Sequence, residues 1–251
     1  MDTFQTDKTR WLQRLDTEAH VWLTRPEDVT NAETLQACLA LLSSRESERY
    51  RQFRFDRDRH HFLVAHALVR SALSVYVDVD PSSWQFSSNR HGRPEISIAD
   101  NLPPLRFNLT HTRGLVACVV TLELDCGIDV EQVSARGNLT GIAEKMFATS
   151  EQQALQMLDG ETLLERFFSY WTLREAYCKA LGIGIAHSKR DYCFVEQGSG
   201  QWTIRFDALS DGDYQHWQFE LTKPTAEHVA AVAIRTAGSP QKTIIHQFVV
   251  P

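Results

Sequence analysis

The 251-residue chain contains no apolar run near the ~18–20 residues that cross a bilayer, which predicts no membrane span. Its start, Met1-Asp2-Thr3-Phe4-Gln5, lacks the basic and apolar regions of a secretory signal. The five cysteines (Cys38, Cys118, Cys126, Cys178 and Cys193) are odd in number, widely spaced and without a C-x-x-C pair. Cys118 and Cys178 lie in apolar runs, where a free thiol behaves as a small hydrophobe. Reduced thiols and a cytoplasmic location are therefore expected. There is no phosphate-cradling P-loop, no G-x-S-x-G nucleophile elbow and no zinc-type Cys/His spacing. Gly182-x-Gly184 follows a helical pattern rather than a strand, so it is not a dinucleotide fingerprint. Positive charge is also short: a net charge of −6 argues against bulk binding to nucleic acid or an anionic membrane.

What is present is an ordinary globular composition with a repeated order of elements. His20–Leu23 reads as a strand ended by Pro26. Ser43-x-x-Glu46 has the form of a capping box. Phe62, Ala65, Val69 and Leu73 recur at helical spacing. Strands are predicted over 84–86, continuing past a turn at 89–92, then over 106–110 and 115–121. The order then restarts: a strand over 127–131, helices over 140–158 and 161–181, and strands over 192–196, 201–206, 215–222 and 228–234. Gly182 and Gly184 act as stop signals for the second helix. This predicts an α+β fold made of a duplicated unit (strand, helices, three-stranded antiparallel sheet), related by a pseudo-two-fold. The halves are residues 1–125 and 126–251, with a ligand cleft expected where they meet. The apolar tail after Pro240 is expected to pack back on the protein.

Several groups of residues carry chemistry. Asp129 and Glu131 stand at i and i+2 of a strand, so both carboxylates share one face while Ile128 and Val130 turn to the core. A hard divalent cation would hold two adjacent carboxylates ionised, whereas an edge strand would simply expose them to water. Trp171, Glu175 and Lys179 share a helix face. Alone, Glu175 and Lys179 would be an ordinary ion pair of about 0.3–0.5 kcal/mol; the apolar helix around them points to buried charge. His111 ends the strand Phe107–Thr112, with Phe107 and Leu109 inward and Asn108 and Thr110 opposite, either as a structural histidine or as a phosphate donor. Gly92-Arg93-Pro94 is a stiffened turn that presents a guanidinium suited to a terminal phosphate. Between Arg45 and Arg70 lie seven arginines against four acids, a local surplus that fits an anionic partner.

Together these segments resemble the 4′-phosphopantetheinyl transferases of the larger, monomeric surfactin-synthetase-activating (Sfp-like) type. Four motifs occur in the family's order: G-R-P at 92–94, F-N-L-T-H-T at 107–112, G-I-D-V-E at 127–131 and W-T-L-R-E-A-Y-C-K at 171–179. The resemblance covers roughly residues 40 to 235 and implies the family's pseudo-dimeric fold. It implies Mg²⁺ held by Asp129, Glu131 and Glu175. It implies coenzyme A as co-substrate, with Arg93 and Pro94 at the 3′-phosphate and Thr110 and His111 at the pyrophosphate. Lys179 would sit near the scissile bond, with Arg49 and His60 as further CoA contacts. Glu175, Lys179 and His111 would be the catalytic groups, with Glu175 or a metal-bound water as base. The partner would be an apo acyl carrier protein, or a peptidyl or polyketide carrier domain, and the enzyme would act as a monomer. Glu46 departs from the pattern at a position that is often basic, and Arg174 replaces a commoner lysine. A non-catalytic CoA-binding module, or another Mg²⁺-dependent phosphotransferase, are the alternative readings.

Overall fold

The computed structural model describes residues 2–97, 101–135, 137–185, 190–206 and 216–251. It divides into two units, Met1–Leu124 with Lys242–Pro251, and Asp125–Gln241. The first unit begins with α1 (Asp2–Arg14), a helix that the sequence reading left unassigned, and β1 (Glu18–Thr24). There follow α2 (Ala32–Leu41), α3 (Ser44–Gln52) and α4 (Asp56–Ser74). Then come β2 (Phe86–Ser88), β3 (Pro94–Ile96), β4 (Leu105–Thr112) and β5 (Leu115–Leu122). The second unit runs β6 (Cys126–Gln132), α5 (Leu139–Met146), α6 (Thr149–Gln156) and α7 (Gly160–Ala180). It continues with β7 (Tyr192–Gln197), β8 (Gln201–Phe206), β9 (Trp217–Thr225) and β10 (His228–Arg235).

The duplicated α+β order is present as expected. In the first unit β1 pairs antiparallel with β5, and β5 with β4; in the second, β6 pairs antiparallel with β10, and β10 with β9. The second sheet adds β8 and β7 beyond β9, whereas β2 and β3 form a separate two-stranded ribbon. The tail departs from the sequence reading, which assigned it to the second half. Residues 243–248 form β11 (Thr243–Phe248), which lies parallel to β1 at the edge of the first sheet.

Each unit has its own core. In the first, Phe62, Ala65, Val69 and Leu73 of α4 are all buried, as their spacing predicts. The predicted strand at Trp84 is instead the end of a short 3₁₀ turn; Trp84 is buried and its indole donates to Ser74 Oγ at 2.8 Å. The predicted helix over 140–158 is two helices. The buried Glu151 turns back to accept from the Ala148 N–H at 2.9 Å, which starts a new helix there. Gly182, at φ 68°, closes α7 with a Schellman pair: the Ile183 N–H donates to Cys178 O and the Gly182 N–H to Lys179 O, both at 3.0 Å.

One polar device occurs in both units. Glu46 accepts from the Ser43 N–H at 2.8 Å, completing the predicted capping box, and from the buried Arg70 at 2.6 Å. Glu151 accepts from the Ala148 N–H and from the buried Arg174 at 2.6 Å. In each unit a short helix is thus locked to the long one by a capping glutamate and an arginine.

Candidate active site

The second unit gathers four of the singled-out residues. Strand alternation places Gly127, Asp129 and Glu131 on one face of β6, and that face is covered by α7. A Cβ on Gly127 would lie 2.0 Å from Ala176 O and 2.5 Å from Ala180 N, so only glycine lets the helix approach this closely. Opposite Asp129 and Gly127 on β10 stand Ala231 and Ala233, both in the second core. This small-residue floor brings the α7 stripe Trp171, Glu175 and Lys179 onto the carboxylates. Lys179 Nζ donates to Asp129 Oδ1 at 2.6 Å, and Trp171 Nε1 to Glu131 Oε1 at 3.0 Å. Ile128 and Val130 are buried on the opposite face, as the alternation predicts, and the carboxylates lie under a helix rather than on an exposed edge.

That placement sets the electrostatics. Asp129 is only 5% exposed, while Glu131 and Glu175 are partly buried. Burial, then the neighbouring charge of Asp129, pushes the Glu175 carboxyl up to about 7, against the pull of Lys179. Glu131 is raised by the same two causes, opposed by the Trp171 hydrogen bond. Glu175 therefore feels the charges of Asp129 and Glu131, and Glu131 that of Asp129, through a low-dielectric space. Lys179 is more than the i,i+4 partner of Glu175: its ammonium also reaches across to the strand. Among the described residues, no three His, Cys, Asp or Glu side chains form a ready-made metal cage. The donors are nevertheless all carboxylate oxygens, the type that hard cations prefer. Mg²⁺ commonly uses only one or two carboxylates and takes its remaining ligands from water and substrate phosphate. The residues present fit such an ion.

The first unit places its own set. Arg93, 9% exposed, lines a small cavity of about 80 Å³ with Pro94, Arg106 and Phe107. Thr110 and Asn108 are buried on β4, and His111 is exposed at the same strand's end. The ring of His111 meets His61 edge-on, with centroids 6.4 Å apart. Burial, then the proximity of His111, lowers the His61 pKa. His60, the residue read from sequence, has Nε2 2.8 Å from Pro26 O. His61 was missed because adjacent helical positions differ by about 100° in direction, and spacing alone does not choose between them. Arg49 is exposed, with its guanidinium over the Phe62 ring.

Two departures from the motif pattern receive a structural account. Glu46 is engaged internally by Ser43, His66 and Arg70. Burial works to raise its pKa, but the His66 and Ser43 hydrogen bonds outweigh it and hold the carboxyl at about 2. Arg174 is fully buried, directed to Glu151 of α6 rather than to the carboxylates of β6, with its guanidinium 4.3 Å from the Tyr192 ring centroid. Arg70, counted in the basic surplus, is likewise buried and leaves that set; Arg45, Arg49, Arg51, Arg54 and Arg57 remain exposed.

Comparison with known proteins identifies the family of the chain. Residues 125–233 match the model of the 4′-phosphopantetheinyl transferase superfamily, and residues 29–122 match that of the 4′-phosphopantetheinyl transferase N-terminal domain. The chain is 35% identical over 178 residues to the 4′-phosphopantetheinyl transferase HetI of Nostoc sp., covering 70% of this chain and 73% of that protein. It is 30% identical over 221 residues to a phosphopantetheinyl transferase of Thraustochytrium sp., covering 83% and 74%. It is 27% identical over 166 residues to the 4′-phosphopantetheinyl transferase Sfp of Bacillus subtilis, covering 66% and 70%. On these matches the chain belongs to the 4′-phosphopantetheinyl transferase superfamily and is a transferase of that kind.

Proposed function

We propose that the protein transfers 4′-phosphopantetheine from coenzyme A to a serine of an apo acyl carrier protein, with peptidyl and polyketide carrier domains as related substrates. The observation that carries this reading is the convergence of Asp129, Glu131, Glu175 and Lys179 between β6 and α7. Asp129 and Glu131, with Glu175, are the residues that would hold Mg²⁺; when bound, the ion supplies positive charge to the CoA pyrophosphate. Arg93 and Pro94 bind the 3′-phosphate. Thr110 and His111 bind the pyrophosphate, and Arg49 and His60 make further CoA contacts. His61 is added to this set because it supports His111.

The serine hydroxyl attacks the β-phosphate, a new P–O bond forms, and adenosine 3′,5′-bisphosphate leaves. Lys179 exchanges its carboxylate partner for a phosphate oxygen near the bond that breaks, where a cation stabilises developing charge. Glu175 is placed to take the serine proton, and bound Mg²⁺ would draw its carboxyl below the value of about 7 that burial and Asp129 give it without the ion. Phe55, 59% exposed between α3 and α4, has the Arg54 guanidinium over its ring, and Arg49, Arg51 and Arg57 are exposed in the same stretch of sequence. A basic segment that carries an exposed apolar side chain is a fitting contact for an acidic carrier.

The test is intact-mass measurement of apo acyl carrier protein after incubation with the enzyme, CoA and Mg²⁺, with EDTA as control. A phosphopantetheine-sized gain that EDTA prevents is the expected result. No gain on acyl, peptidyl or polyketide carriers, from folded enzyme that binds CoA, would overturn the reading.

A further inference from the structure

Asp129 and Glu131 are like charges two residues apart on one strand face. Side chains so placed turn away from one another unless something holds them. α7 supplies a holder for each. Lys179 engages Asp129, and two turns earlier Trp171 engages Glu131 through its indole N–H at 3.0 Å. The two holders differ in kind. Lys179 brings a charge, whereas an indole donates a hydrogen bond and leaves the carboxylate's charge in place. Trp171 is itself fixed, stacked at 8° on Phe167 with centroids 6.4 Å apart and packed against the second core. Its N–H therefore points in a set direction.

We propose that Trp171 is a positioning residue that aims the Glu131 carboxylate at the divalent cation without neutralising it. The inference rests on the reading of this site as a cation site. A lysine or arginine at 171 would compete with the cation for Glu131, and a phenylalanine would pack similarly but leave Glu131 without this donor.

The test compares wild type with Trp171→Phe by calorimetric titration of Mn²⁺ into the CoA-loaded enzyme, with thermal melting to check the fold. Loss of one hydrogen bond to a charged acceptor predicts roughly 10- to 100-fold weaker Mn²⁺ binding. The same shift is expected in the half-saturating Mg²⁺ concentration for transfer, while the KM for the carrier at saturating Mg²⁺ changes less than about twofold. In a Glu131→Gln background the Trp171→Phe change should cost no further Mn²⁺ affinity, because the two act as one unit. Should Trp171→Phe fail to fold, benzothienylalanine at 171, with sulfur replacing the N–H, keeps the ring and removes the donor. Unchanged Mn²⁺ affinity in a folded variant, or an equal loss in the Glu131→Gln background, would overturn the role of Trp171 while leaving the transferase reading intact. Failure of the wild type itself to bind Mn²⁺ would overturn both the cation site and this inference.

Discussion

Glu175 is a carboxylic acid that the fold holds near neutrality, and the reason is its place between a buried strand and an apolar helix. Because the folded-state pKa is raised, the folded protein binds a proton more tightly than the unfolded chain does. The associated stability is present below the ordinary carboxylate pKa and is lost as pH rises through about 7. Metal-free protein should therefore lose thermal stability between pH 5 and pH 8, and Glu175→Gln should flatten that slope. Melting curves in EDTA across this range check the expectation, and saturating Mg²⁺ with CoA should remove most of the loss at the alkaline end. The carboxylates and the Trp171–Lys179 stripe were legible in sequence because periods of 2 and 3.6 assign faces without tertiary knowledge. The capping bond of Glu46 was legible too, but its bond to Arg70 and the contacts of Arg70 and Arg174 were not. Their partners lie on other helices, in the turn ending at Trp84 and on β7, and sequence spacing carries no trace of such contacts.

At the level of elements, the site depends on how closely α7 lies on β6. Gly127 sets that distance, since any side chain there meets helix backbone rather than a flexible tip. Gly127→Ala should destabilise the protein by roughly 3 kcal/mol, at the upper end for overpacking, and should also separate Lys179 from Asp129. Denaturant unfolding, with CoA-dependent Mn²⁺ binding on the folded fraction, reads both effects. Most strands and α4 were legible from alternation and from the apolar stripe. The break between α5 and α6 was not, because Phe147 continues the apolar pattern while the local hydrogen bond from Ala148 to Glu151 ends the helix. The missing label on α1 has a similar origin: residues 2–14 show no clear apolar face, and the helix is fixed through Trp11, whose ring meets His20 and Trp22 of β1.

For the molecule as a whole, the duplication was legible in the order of elements, but the exchange at the tail was not. β11 is short and apolar, and nothing in its composition states which sheet it joins. Its register on β1, Ala19 against Ile244 through Leu23 against Phe248, is reinforced by Thr24 Oγ1 donating to Val249 O at 2.8 Å. Deleting residues 242–251 should therefore loosen the first unit and spare the second. Hydrogen-exchange mass spectrometry should show faster exchange over residues 19–23 and unchanged protection over 228–234. Equal loss in both units would refute this division.

The parallel pairing of β1 with β11 also bears on how the chain is made. Synthesis runs from the amino end, so the outer edge of β1 emerges early, and its last neighbour arrives only after the whole second unit has been translated. During that interval β1 offers an open, apolar ladder edge of the kind that invites pairing with other chains. The nascent protein is thus exposed to aggregation on the ribosome while its second unit is being built, and β11 closes that edge when it emerges.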